Sequence, residues 1–203
     1  SKSGQFKTAS DSDTDNSLFA KGSGGTTAVI KCLRHLQNLD NIFSSVEGKT
    51  AAIQTENILC RENETYPNYE FWPIQNDDLV SYTSRPNPQS GAEGEPEYCA
   101  IRGLYVTQAS SESGGGKFGA GLFAQVGGSS GVHGEFNNIY LIDAEITLPA
   151  DSLIGSAGSL AGSVKEARFT NCHSINATVN APGANNAGGL VGEAESSIFN
   201  GCQ

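Results

Sequence analysis

Asp143 and Glu145 stand two residues apart. Two carboxylates on one face of a strand are the least equipment for acid–base cleavage of a glycosidic bond. Read as one strand, residues 143 and 145 share that face. Thirty-three residues further on, however, stand Asn176 and Thr178, so no ladder of carboxylates builds up beside them, and no catalytic residue is assigned. A second group is aromatic. Tyr66, Tyr69, Phe71 and Trp72, the last being the only tryptophan, fall close together. Flat rings can stack against sugar faces, so Trp72, Tyr69 and Tyr66 are the candidate ligand-binding residues; otherwise Trp72 is a packing anchor beneath a loop.

The remaining chemistry-bearing types lack the spacing that chemistry needs. His35, His133 and His173 are isolated, which argues against a catalytic triad and makes His35 a surface or cap hydrogen-bonder. Cys32, Cys60, Cys99, Cys172 and Cys202 are odd in number and contain no C-x-x-C pair, so neither a disulfide framework nor a metal site is expected. Asp11, Asp13 and Asp15 alternate like a calcium loop, but Asn16 occupies the position that wants glycine and Gly22 the one that wants glutamate. Gly114-Gly115-Gly116-Lys117 lacks the spacing of a phosphate loop, and no cofactor is expected.

What must position these residues is a repeat. Leu160, Phe169 and Cys172 recur as Leu190, Phe199 and Cys202, each thirty residues on. Phe136, Asn138, Ile142 and Ile146 anticipate Phe169, Asn171, Ile175 and Val179 at an offset of thirty-three. A fixed period of this length marks stacked supersecondary units. Each copy holds a small-residue box (Gly121-Leu122-Phe123-Ala124, Gly158-Ser159-Leu160-Ala161-Gly162, Gly188-Gly189-Leu190-Val191-Gly192) and then alternating stretches such as Ala167–Cys172 and Ser174–Val179. Alternation is the period of a half-buried strand, and frequent glycine disfavours long helices.

Short strands joined by tight corners stack with parallel pairing at about 4.8 Å per layer, so the fold predicted is all-β, a right-handed parallel β-helix. A β-propeller is the competitor, but it needs four strands per blade and a closed ring. In the solenoid, Leu160 with Leu190, Phe169 with Phe199, and Ile142 with Ile175 are expected to form inward columns, with the glycines turning the corners. Cys172 and Cys202 would stack on adjacent coils as thiols filling such a column.

Taken in order, residues 1–24 read as a polar linker and 25–203 as one β-helix domain. Thr26–Lys31 reads as a strand. Leu33, Leu36, Leu39 and Ile42 or Phe43 mark one face of a cap helix over about 32–43, lying across the end of the stack. Early coils with long loops fill 44–117. Within them Ala51–Ile58 and Tyr98–Val106 are strands, the latter with Ile101, Leu104 and Val106 inward, and 76–97 is a long surface loop. Repeat coils occupy 118–203.

The Gly188–Gly192 box, followed by Ile198-Phe199-Asn200-Gly201-Cys202, resembles the GLUG-type repeat of bacterial surface proteins, a GGLVG box trailed by an I-x-N-C strand. Gly158–Gly162 with Phe169–Cys172 is a second, weaker match, and Gly121-Leu122-Phe123 departs furthest. Ile30–Leu39 is also similar to the opening that precedes such repeats. The resemblance implies a β-helix on an adhesin-like protein and carries no catalytic residue with it.

The formal charge of −10, without a Lys/Arg cluster, sets nucleic acid aside as a partner. No apolar run is long enough to span a bilayer. The absence of methionine suggests a processed or excised chain, and the natural protein is expected to continue beyond Gln203. The expected role is a non-catalytic extracellular or cell-surface module, an adhesin-like binding surface or stalk whose partners are glycans or host or cell-surface proteins. A polysaccharide lyase or hydrolase on the same scaffold is the alternative. Asn63-Glu64-Thr65 and Asn176-Ala177-Thr178 fit glycosylation acceptors.

Overall fold

The computed structural model describes residues 25–41, 50–60, 70–75, 79–109, 118–127, 134–150 and 154–203. These are mostly β, with one α-helix, and the strands pair in parallel. Along the described residues come first β1 (Thr27–Ile30), α1 (Leu33–Asn41), β2 (Ala51–Gln54), β3 (Ile58–Leu59) and β4 (Ile74–Gln75). A second tour follows: β5 (Ser81–Ser84), β6 (Ala100–Arg102), β7 (Tyr105–Val106), β8 (Phe118–Ala120) and β9 (Phe123–Val126). The third is β10 (Gly134–Asn137), β11 (Tyr140–Ile142), β12 (Glu145–Thr147), β13 (Ile154–Ala157) and β14 (Ala161–Lys165). The last comprises β15 (Ala167–Thr170), β16 (His173–Ile175), β17 (Thr178–Asn180), β18 (Ala184–Ala187), β19 (Val191–Glu195) and β20 (Ile198–Asn200).

These strands form five parallel sheets, met in one recurring order. The first sheet runs β1-β2-β5-β10-β15-β20, the second β3-β6-β11-β16, the third β7-β12-β17, the fourth β8-β13-β18 and the fifth β4-β9-β14-β19. The period read in the sequence is the pairing register: Phe136 lies against Phe169 and Phe169 against Phe199. Among the described residues no helix is long and apolar enough to cross a membrane.

Alternation decides what fills the interior. In the first sheet Ala28, Ala52, Tyr82, Phe136, Phe169 and Phe199 share one inward column. The rings of Phe136 and Phe169 stack at 5.0 Å, and Phe123 meets Tyr82 and Phe136 edge-on. Ile58, Ile101 and Leu141 form the second sheet's column, and Val106, Ile146 and Val179 the third's. Leu122, Leu160 and Leu190 follow one another between the fourth and fifth sheets, joined by backbone bonds such as Leu160 N–H to Leu190 C=O at 2.9 Å.

The corners depart from expectation. Those between the first and second sheets carry positive φ at Asn138, Asn171 and Gly201; between the second and third, at Gly103, Asp143 and Asn176; between the fifth and first, at Gly127, Glu166 and Ser196. Asn and Asp tolerate this left-handed conformation because a short polar side chain can bond locally, so they replace glycine there. The box glycines answer another need, the close approach of the fourth and fifth sheets. A Cβ on Gly162 would sit 2.6 Å from Ala120 N and 2.7 Å from Ser156 O. Gly192 repeats this one pass later, 2.6 Å from Ala157 N.

Left-handed corners also split two stretches read as single strands. Ser174–Val179 is β16 and β17 with Asn176 between them, and Tyr98–Val106 is β6 and β7 about Gly103. Each corner resets the alternation. Leu141 therefore points inward, fully buried, and Ile142 and Ile175, although in register, lie on the row with Arg102, where Ile142 is still buried at 7% and Ile175 is 42% exposed. Ile101, Leu104 and Val106 are buried as expected. The supposed loop 76–97 contains β5, whose Tyr82 is fully buried in the middle of the six-stranded sheet.

The helix α1 packs against β1 and β4, the terminal strands of two sheets. Leu36 and Leu39 are buried as their spacing predicts, while Ile42 and Phe43 lie outside the described residues. His35 is buried rather than on the surface, its Nδ1 accepting the Lys31 N–H at 3.3 Å.

Candidate functional site

Trp72 is held through its main chain. Buried Gln37 of α1 accepts the Trp72 N–H at 3.0 Å and donates its Nε2 to the Trp72 carbonyl at 2.9 Å. One glutamine thereby satisfies both polar groups of an irregular residue just before β4, which ties the helix to the fifth sheet. Phe71 beside it is fully buried and Trp72 half-buried, the posture of an amphipathic packing residue with one edge in water. Tyr66 and Tyr69 lie outside the described residues, as do His133 and Asp11–Asp15.

The carboxylates Asp143 and Glu145 do not share a strand. Asp143 turns the corner between β11 and β12 at φ 55°, and its Oδ1 accepts the Asn176 Nδ2–H at 3.4 Å. Glu145 lies in β12 between Tyr105 and Thr178 and accepts the Thr147 hydroxyl at 3.3 Å. Asp143 thus has a local conformational role, and Asn176 repeats it one pass on.

A better-built surface is the outer face of the second sheet. Tyr140 and His173 are register partners, their ring centroids 4.7 Å apart, and Tyr98 stacks on Tyr140 at 6.1 Å and 26°. Along one side runs a chain of amides. The Tyr140 hydroxyl donates to Asn171 Oδ1 at 3.3 Å, His173 Nε2 lies 2.7 Å from the same oxygen, and Asn171 Nδ2 donates to Asn138 Oδ1 at 2.9 Å. An amide oxygen only accepts, so Nε2 carries the His173 proton. Desolvation lowers the affinity of His173 for a second proton and raises that of the Tyr140 phenolate, the Asn171 bond opposing the latter. The parallel row holds Leu59, Arg102, Ile142 and Ile175, with Arg102 paired to Glu95 at 3.1 Å. The row is legible in the sequence, since Tyr140 and His173 obey the same thirty-three-residue offset as Phe136 and Phe169, but a Tyr matched to a His does not stand out as a repeat as identical residues do.

Cys60, Cys99 and Cys172 are buried, Cys32 and Cys202 half-buried, and all five are free thiols. Burial first, then the neighbouring Cys202, pushes the Cys172 thiol up to about 12, which keeps it protonated and a poor nucleophile at neutral pH. Among the described residues no three His, Cys, Asp or Glu side chains converge as metal ligands would. Scans of the chain against protein-family models, curated proteins and solved structures found no match.

Proposed function

We infer that the chain is a non-catalytic binding module, wound as a right-handed parallel β-helix with α1 as its cap, and working on the bacterial cell surface or outside the cell. Five parallel sheets met in one recurring order favour the winding. The Gly188–Gly192 box and its I-F-N-x-C strand, which resemble GLUG repeats, favour the setting. The observation that carries the functional reading is the outer face of the second sheet: rings stacked on rings and amides bonded to amides make a rigid, nearly uncharged strip. Such a strip offers pre-organised contact area to a glycan or a protein surface. Trp72, half-exposed at the junction with α1, adds one aromatic edge near the cap.

The test incubates the purified chain with a panel of neutral and acidic polysaccharides and with cell-surface protein extracts, scoring retention and new chain ends together. Retention that weakens in Tyr140→Ala and His173→Ala, with no new ends, is expected. New ends lost in Asp143→Asn and Glu145→Gln would replace this reading with a polysaccharide-degrading enzyme. Failure to retain any ligand would leave a spacer, a stalk that holds other domains apart.

A further inference from the structure

The second tour leaves the first sheet by a longer route than the tours after it. Asn138 and Ile139 alone join β10 to β11, and Asn171 and Cys172 alone join β15 to β16, whereas residues 85–99 lie between β5 and β6. The aromatic row is interrupted at the same place. The strand residue in register with Tyr140 is Ala100, which has no ring to offer and is fully buried. The ring that stacks on Tyr140 at 6.1 Å and 26° is that of Tyr98, from the end of the long connection.

The connection fixes that ring from several sides. Its two arms close on each other: Pro86 and Tyr98 form an antiparallel bridge, Asn87 N–H donates to the Glu97 carbonyl at 2.8 Å, and Cys99 N–H donates to the Arg85 carbonyl at 2.9 Å. Asn87, 2% exposed, is its centre. The Asn87 Nδ2 donates to Glu95 Oε2 and to the Pro96 carbonyl, each at 3.1 Å, and its Oδ1 accepts the Gln89 N–H at 3.0 Å and the Asn57 Nδ2–H at 3.3 Å. Every donor and acceptor of the amide is thereby used. Asn57 in turn accepts the Ala100 N–H at 2.8 Å, and Glu95 Oε1 takes the Arg102 guanidinium at 3.1 Å. The connection is thus fastened to Asn57, just before β3, and to Arg102, at the end of β6.

We propose that residues 85–99 complete the binding strip, with Tyr98 as a ring that contacts the ligand and Asn87 as the residue that positions this ring without touching the ligand itself. The inference rests on the reading of the second sheet's outer face as a binding surface. A tyrosine on a fixed loop offers contact area at low ordering cost, whereas a released loop has to be ordered again on binding. Asn87 therefore acts on the ligand only through Tyr98.

Two readouts on Asn87→Ala, Tyr98→Leu and the double variant test this. Nuclear magnetic resonance follows the ring-current shift that Tyr98 imposes on the Tyr140 ring protons, and both single variants should abolish it while the rest of the spectrum stays folded. Affinity is measured for whichever member of the polysaccharide and protein panel the unaltered chain retains. Each single variant should weaken it about tenfold or more, the effect of losing an aromatic anchor, and the double variant should bind no worse than Tyr98→Leu alone. Unchanged affinity in either single variant, additive losses in the double one, or a weakened Asn87→Ala whose Tyr140 shifts are intact would overturn this inference and leave the strip standing. A chain that retains no member of the panel would overturn both. Should Asn87→Ala not fold, Glu95→Ala, which removes one Asn87 acceptor and the Arg102 partner from a half-buried position, is judged by the same outcomes.

Discussion

Phe169 and Phe199 occupy the same column and allow the burial gradient along the stack to be measured. Phe169 is fully buried between two rings, Phe136 at 5.0 Å and 18° and Phe199 at 5.1 Å and 7°. Phe169→Ala opens a cavity closed on both sides and should cost about 3–5 kcal/mol, near the upper end because both ring contacts, worth about 0.5–1.5 kcal/mol each, are lost together. Phe199 has one ring neighbour and is 37% exposed. Its truncation leaves a notch that water fills, and the loss is about two thirds of a full burial of 1.5–3 kcal/mol, or about 1–2 kcal/mol. Urea unfolding followed by far-ultraviolet circular dichroism gives both values if the slope is shared with the unaltered chain. Equal costs at the two positions would refute the reasoning, because they would mean that the last pass is as well covered as the one beneath it.

Other sites yield sharper, smaller effects. Buried Gln54 accepts the Tyr82 and Ser84 hydroxyls at 2.8 and 3.2 Å and donates to the Glu56 and Ala100 carbonyls at 2.9 and 3.2 Å. Gln54→Ala should therefore cost about 3 kcal/mol in urea unfolding, and adding Tyr82→Phe should return about 1 kcal/mol by removing a hydroxyl left without its acceptor. Exposed Ser196 sits at φ 49°, in the corner series where Gly127 also occurs, so Ser196→Gly should stabilise by up to about 1 kcal/mol, read as a raised thermal midpoint. Gly162→Ala should do the opposite, its Cβ meeting backbone of β8, β13 and β9, and produce little folded protein in a proteolysis assay. His173 binds its second proton less readily when folded, because of burial. Its contribution is thus complete above the ordinary imidazole value of about 6.5 and is lost as pH falls below it; His173→Gln should flatten that slope in urea midpoints taken across the window.

The columns were legible because the offset of thirty or thirty-three residues is itself the register, so Phe136, Phe169 and Phe199 could be aligned without coordinates. The helix was legible from Leu33, Leu36 and Leu39. What escaped was governed by residues whose conformation their type does not announce. Asn176 reads equally well as a strand residue on the outer face or as a left-handed corner, and only pairing with Asp143 decides between them. Choosing the strand carried the alternation through the corner, which turned Ile142 and Ile175 inward and put Asp143 beside Glu145. Tyr82 escaped for a different reason: Ser81, Thr83 and Ser84 surround one inward ring with polar neighbours, and Ser84 is itself buried because Gln54 accepts its hydroxyl. A buried hydrogen-bonded pair looks like a loop in composition.

The same corners bear on function. Asp143 sits at positive φ in its corner, and its carboxylate is tied to the Asn176 amide of the next pass. Tyr140, His173 and Asn171 are bound to one another beside Ile175, which is exposed. Rigid groups that need no reorganisation before contact lower the ordering cost of any binding they take part in. The strip should accordingly lose ligand, with little loss of fold, when the outermost group is changed first. His173→Ala therefore separates a binding face from a purely structural ladder more cleanly than Tyr140→Ala, whose ring is packed on both sides.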